Sequence, residues 1–341
     1  MHQRIGVFLA VGGMAVLAWW APAATGLAAP PQTPVRFCLL AVEETAGTLA
    51  IADPQGGVIK RLALGERPHE VEVSADGKTA YVSMFGITDY DSQLGTPGTS
   101  VARIDLTRGE RVGDYRLPGD LRAPHGVKLR PPAFRELYVN AEKGGDAMLV
   151  FDTRTGRLLR RFPLPPGSHN FVFSADGAMI FSFAGANGVA KIDAATGRIL
   201  ATRDVGSPVR GVVMASGGSV LASAKGALVE LAAADLGEIR RWPAPGRGQF
   251  VYLDQLPNGS IFAPSLNDDG VMIFPMDGGP ARFVATGKTA IRAIRGPDGR
   301  IYVSNVNDDH VSVLGPDGSV LPSIPGVTSP NGLNFGACPS G

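Results

Sequence analysis

Three histidines stand in matching contexts: His69 in "RPHEVEVSADGKTAYVS", His125 in "APHGVKLRPPAFRELYVN" and His169 in "GSHNFVFSADGAMIFSF". Imidazole is a common ligand for divalent metals, and its charge changes near neutral pH. Three imidazoles converging on one point, with Glu142 in reach, would make a metal centre that keeps a coordination position open. The chemistry on offer is Lewis-acid activation or a metal-bound water. Without a metal, the same side chains would line a polar channel and hold a ligand through hydrogen bonds. No local spacing such as His-Glu-x-x-His joins them, so only the fold can bring them together.

The contexts recur beyond the histidines. Related units start near Arg210, Phe250 and Arg292, and a last half-unit, "SPNGLNFG", carries Asn331. The step between these seven markers is roughly forty residues, which means a solenoid or a propeller. Each unit reads as four strands. An apolar-alternating strand such as "HEVEVS" is followed by an Asp-Gly or Asn-Gly turn, where Gly accepts positive φ cheaply. Then come "AYVS" or "IYVS", "SVARIDL" or "MLVFDT", and a more polar strand such as "LLRRFPL". Four-stranded units of this length are propeller blades.

Seven starts precede only six complete blades. The strands missing from the seventh read at residues 37–42, 48–52 and 57–64, so blade seven combines about 329–336 with 36–64. The expected fold is an all-β, seven-bladed β-propeller whose N- and C-terminal strands share one blade, which leaves no sheet edge open at the seam. Cys38 and Cys338 are the only cysteines and would flank the same seam, so a disulfide between them is expected in an oxidising compartment.

Arg4, the apolar run 5–20 and "APAATGLAAP" read as a secretory signal peptide over residues 1–29, leaving 30–341 as a single propeller in the periplasm or outside the cell. An uncleaved N-terminal anchor is the alternative. Without Arg4 the chain holds 31 basic against 31 acidic side chains, which offers no footprint for nucleic acid or an anionic membrane. There is no Cys-x-x-Cys-His, no Gly-x-Ser-x-Gly and no P-loop, which argues against covalent haem, α/β-hydrolase and nucleotide chemistry.

"GKTAYVSMFG", "RELYVNAEKGGDAMLVFDTRTGRLL" and "GRIYVSNVNDDHVSVLGPDG" resemble the YVTN-repeat β-propeller family. The resemblance covers nearly the whole chain after the signal and weakens in blades four and five. It implies a seven-bladed, usually exported propeller and says little about chemistry, because the fold hosts binders, lyases, lactonases and electron-transfer enzymes.

The start of the first strand and the loop after the second should lie on one face of the channel. The candidate ligand-binding residues there are Asn140, Arg210, Phe250, Arg292, Asn305 and Asn331, with Tyr90 from the long loop 85–100 closing over the mouth. His69, His125, His169 and Glu142 are the candidate metal ligands, for zinc, magnesium or calcium. The leading expectation is a binding or scaffold protein that recognises a small molecule or a partner protein on this face. The alternative is a metal-dependent enzyme, a lyase or a lactonase-like hydrolase.

Overall fold

The computed structural model describes residues 36–340, apart from 66, 89–93, 185–186, 276 and 278. The expected signal peptide and Tyr90 therefore lie outside the described residues. Among those described, 28 strands form seven four-stranded antiparallel sheets, and no helix is long and apolar enough to cross a membrane. The strands of blade 1 are Pro68–Val73, Thr79–Met84, Ser100–Asp105 and Glu110–Arg116. Blade 7 runs in the order Pro330–Ala337, Phe37–Glu43, Thr48–Asp53, Gly57–Ala63. The seam is therefore a strand ladder, with Leu39 opposite Phe335 and Ala41 opposite Leu333. The Cys38–Cys338 disulfide closes it, with Cα atoms 5.1 Å apart.

Local chemistry explains why the blade repeats. In blade 1, Asp76 accepts from the Ser74 hydroxyl at 2.6 Å and the Lys78 amide at 3.0 Å while Gly77 turns at φ +73°. Asp176, Ser174 and Gly177 repeat this turn in blade 3. Such side-chain-to-backbone bonds define the hairpin before any long-range contact forms. The cores then lie between neighbouring blades. Leu221, Leu228 and Trp242 of blade 4 pack with Phe250, Ile261 and Phe274 of blade 5. The Tyr138 hydroxyl of blade 2, buried in such an interface, donates to the Ala194 carbonyl of blade 3 at 2.9 Å.

The innermost strands carry the feature that builds the site. In blade 1, Pro68 pairs with Met84 and Val71 with Val82, so His69 and Glu70 together oppose Ser83. In blade 2, His125 and Gly126 together oppose Asn140. Two residues against one is a β-bulge, which twists the strand and re-aims its side chains. Adjacent strand residues normally point to opposite faces. Here both His69 and Glu70 come to bear on the channel.

The second strand satisfies the backbone that the bulge frees. Ser83 Oγ accepts the Glu70 amide at 3.0 Å, Asn140 Oδ1 accepts the Gly126 amide at 2.6 Å, and Ser304 Oγ accepts the Arg292 amide at 3.2 Å. The fourth position of "AYVS", "LYVN" and "IYVS" is polar for this reason. In blade 5 that position is Pro264, which instead accepts the Val251 amide through its carbonyl at 3.0 Å. Asn140 thus works on the backbone, and its amide also donates to the Ser168 carbonyl of the next blade at 3.3 Å. Asn140→Ala leaves the Gly126 amide buried without its acceptor and is expected to cost about 1–3 kcal/mol, read from urea unfolding midpoints.

Candidate channel-mouth site

Pairing register places the seven inner strands side by side. His69, His125, His169, Arg210 and Asn331 share the first row. Arg292 and Phe250 do not, which corrects the sequence alignment by one residue in each direction. Arg292 pairs with Ser304 and stands in the row of Glu70, leaving Ile291 in the histidine row. Asp254 pairs with Phe262, which puts Val251 in the histidine row and Phe250 one residue ahead of it. Backbone conformation supports this alignment. Arg67, Ala123, Thr289 and Ser329, each two residues before the first row, share left-handed φ of +45°, +55°, +58° and +46°. Phe250 is fully buried and meets Phe274 edge-on at 5.6 Å, so it belongs to the inter-blade core.

The first row brings the three histidines into contact. The His69 and His125 ring centroids are 4.3 Å apart, and those of His125 and His169 are 3.7 Å apart. Phe85, from the base of the long loop, packs on His69 at 5.2 Å and edge-on to His125 at 4.9 Å. Phe183 meets His169 at 5.5 Å. His69 and His125 are fully buried. His169 Nδ1 lies 2.5 Å from Glu142 Oε1, and His125 Nδ1 is 4.0 Å from the same oxygen. His69 Nδ1 is 3.0 Å from Asn331 Nδ2, which also donates to Glu44 Oε2 at 2.7 Å. Ligand atoms within 4.8 Å of one another form two overlapping groups, His69–Glu70–His125 and His125–Glu142–His169. The expected set of three histidines and Glu142 around one point is therefore divided, with His125 common to both groups. The bulge and the Asn331–Glu44 contact hold His69 toward the far side.

The second row is the part that the sequence reading missed. Large and small residues alternate around the ring: Glu70, Gly126, Asn170, Gly211, then Tyr252, Arg292 and Gly332. A Cβ on Gly126 would lie 2.7 Å from Asn170 Oδ1, and one on Gly332 would lie 2.4 Å from the His69 carbonyl. The glycines are thus gaps over which the Glu70 carboxylate reaches. Across Gly126 it accepts from Asn170 Nδ2 at 3.2 Å, and across Gly332 from the Arg292 guanidinium at 2.6 Å. Seven is odd, so alternation fails once. There Arg292 and Tyr252 are neighbours, and the guanidinium lies over the phenol ring at 5.3 Å. Burial alone would raise the Glu70 carboxyl. Arg292, Lys128 and the nearby histidines outweigh it and hold it at about 2.

The third row holds Glu72, Lys128 and Asp254. Lys128 Nζ stands 3.8 Å from Glu72, whose carboxyl is pushed up by burial against the pull of that lysine. Burial also raises Asp254, against bonds from the Arg295 and Gln255 amides. A cavity of about 200 Å³ lies among these rows. Its polar lining is Asn170, Tyr252, Arg292, Lys128 and Asp254, and Phe171, Phe183 and Ile294 are among its apolar walls.

The remaining candidates do not join the polar network around Glu70. Arg210 is exposed and is not paired with Arg292 as a twin guanidinium, since Arg292 is committed to Glu70. Asn305 is held by Ser312 of its own blade, to whose Oγ it donates at 2.9 Å, and by Thr286 of the connection from blade 5, from whose Oγ1 it accepts at 3.1 Å. Glu70 escaped notice because a residue next to a channel-facing histidine is expected to face away. The signal that could have found it is the residue following the markers of blades 1 to 4, where Glu70, Gly126, Asn170 and Gly211 alternate large polar side chains with glycine.

Comparison with known proteins agrees with the architecture. The family model described as outer membrane protein assembly factor BamB matches residues 144–249, about a third of the chain. No curated protein matches at a significant level. Among solved structures, a functionally unknown protein from Desulfotomaculum acetoxidans DSM 771 is similar with TM-score 0.70 and 12% identity, over 89% of this chain and 99% of that one. Kuenenia stuttgartiensis hydrazine synthase is similar with TM-score 0.68 and 19% identity, over 83% of this chain and 93% of that one. At these identities the likeness is one of fold. The chain is a seven-bladed β-propeller sealed by a terminal disulfide.

Proposed function

We propose that this chain is an exported propeller that works as a binding module, taking a small polar molecule into the channel beneath its histidine row. The observation that carries this reading is the cavity itself, which is lined from five blades and takes both signs of charge from three of them, while its walls are largely apolar. At about 30 Å³ per water, it has room for about seven waters, or a ligand of similar bulk. Arg292 is held at 2.6 Å by Glu70, whereas Lys128 stands 3.8 Å from Glu72 and Asp254 meets only backbone amides, so Lys128 and Asp254 are the groups that a ligand would engage. A molecule carrying both an ammonium and a carboxylate suits that pair better than a polyanion does. The disulfide supports an oxidising compartment.

Calorimetric titration tests this with glycine and serine as zwitterions, succinate as a dianion and 1,4-diaminobutane as a dication. Saturable binding of a zwitterion, lost in Lys128→Ala and Asp254→Ala, is the expected result. Binding of none of the four, or equal binding by both variants, contradicts it. The match to the BamB model favours a second reading, a scaffold whose channel face docks a partner protein, and that reading survives a negative titration. The catalytic alternative, a lyase or lactone hydrolase, requires a bound cation at the histidines.

A further inference from the structure

We propose that His125, His169 and Glu142 form a site for one divalent transition cation at the channel mouth. This deepens the binding reading, because it places a coordinating centre directly above the cavity: Phe183 packs on His169 and also lines the cavity wall.

The geometry is close to what a cation needs. Metal–nitrogen bonds of about 2.0–2.1 Å put the donors of a tetrahedral site roughly 3.3 Å apart. The two imidazole Nδ1 atoms lie 2.5 Å and 4.0 Å from Glu142 Oε1, so the observed spacings straddle that value. Sub-ångström side-chain shifts convert the His169–Glu142 contact into two bonds to a shared ion. The two rings, 3.7 Å apart at the centroids and tilted by 36°, come from neighbouring blades and are held between Phe85 and Phe183. The donors are therefore brought together before any ion arrives.

The alternative group, His69–Glu70–His125, is a poorer site for a physical reason. Its carboxylate already accepts from Asn170 and neutralises Arg292, and a cation there would set like charges against each other. All three of its members are fully buried. By contrast the side chains of Glu142 and His169 retain 18% and 11% exposure, which gives an ion an entry path. His69 faces Asn331 and Glu44 with its Nδ1 and acts as a neighbour of the site. Two imidazoles with one carboxylate suit zinc, cobalt or nickel better than magnesium or calcium, which prefer all-oxygen shells. Three protein donors leave at least one position for water or for a ligand rising from the cavity.

The test is titration of untagged, chelator-treated protein with Zn²⁺ by calorimetry and with Co²⁺ by visible absorption, where a tetrahedral site has a distinct signature. One equivalent should bind. Glu142→Gln should weaken binding by about tenfold or more, and His169→Ala by more than about 100-fold, beyond the range for losing an outer-shell partner. His69→Ala should stay within about tenfold of wild type. Glu142→Gln and His169→Ala change partly exposed side chains, and circular dichroism verifies that each remains folded. Failure of the wild type to take up either ion overturns the inference, as does undiminished binding by folded Glu142→Gln and His169→Ala proteins. A protein that takes up no ion but still binds a zwitterion loses the cation and keeps the binding module. One that takes up the ion but none of the four small probes keeps the cation site and loses the small-ligand reading.

Discussion

Replacing both Cys38 and Cys338 with serine is expected to lower the unfolding temperature by about 5–10 °C without altering the circular dichroism of the folded protein. The bridge joins residues 300 positions apart. A covalent loop of that length removes much of the freedom of the unfolded chain, and the chain-entropy relation puts the stabilisation at about 5 kcal/mol. An unfolding entropy of about 2.1 cal/mol/K per residue turns that into about 8 °C for a domain of this size. The folded seam needs no sulfur to exist, since Phe37–Glu43 and Pro330–Ala337 pair along their length and bury Leu39, Ala41 and Leu333. The effect should therefore appear as lost stability in calorimetry, with native secondary structure retained. A melting temperature within about 2 °C of wild type would show that the unfolded chain is little constrained by the bridge.

Glu70→Ala should cost about 3–5 kcal/mol, because it strands the Arg292 guanidinium in the channel without its counter-charge. The same carboxylate predicts an acid limb. Its folded pKa of about 2 lies below the ordinary value of 4.5. A depressed carboxyl binds its proton more weakly in the folded state. The stability it contributes is thus fully present above about pH 4.5 and is lost as pH falls toward 2. The difference corresponds to about 3 kcal/mol. Glu72 and Asp254 work in the opposite sense, since burial raises both and their protonation favours the folded state. Urea midpoints at pH 7, 4 and 2.5 separate these contributions. Wild type should lose stability most steeply between pH 4 and 2.5, and Glu70→Gln should lose markedly less over that interval. Parallel curves for the two proteins would mean that Glu70 does not carry the acid limb.

The ring and its seam were legible because each blade is coded locally. Asp76–Gly77 and Asp176–Gly177 form turns through contacts within a few residues, and a step near forty residues survives changes elsewhere in the repeat. The seam followed from counting strands, and the cysteines were consistent with it. The convergence of His69, His125 and His169 followed from the same repeat.

The channel below them was not legible, and bulges are the reason. An extra residue opposite Ser83 or Asn140 breaks the two-residue alternation on which strand reading depends, so Glu70 reaches the axis beside His69. Arg292 and Phe250 also leave the row assigned to them, because the first hairpin is one residue shorter in blades 5 and 6 than in blade 1, which shifts the register read along the sequence. Asn140 and Asn305 look like recognition residues in a sequence, because a polar side chain at a strand end has no visible partner there. The fold supplies partners in the Gly126 amide and in Ser312.

The most direct single measurement is anomalous diffraction at the zinc edge from crystals of the untagged protein grown with Zn²⁺. One strong peak is expected between His125 Nδ1, His169 Nδ1 and Glu142 Oε1, with bonds of about 2.0–2.2 Å. An empty channel mouth, or zinc found only on the outer surface of the blades, would contradict it.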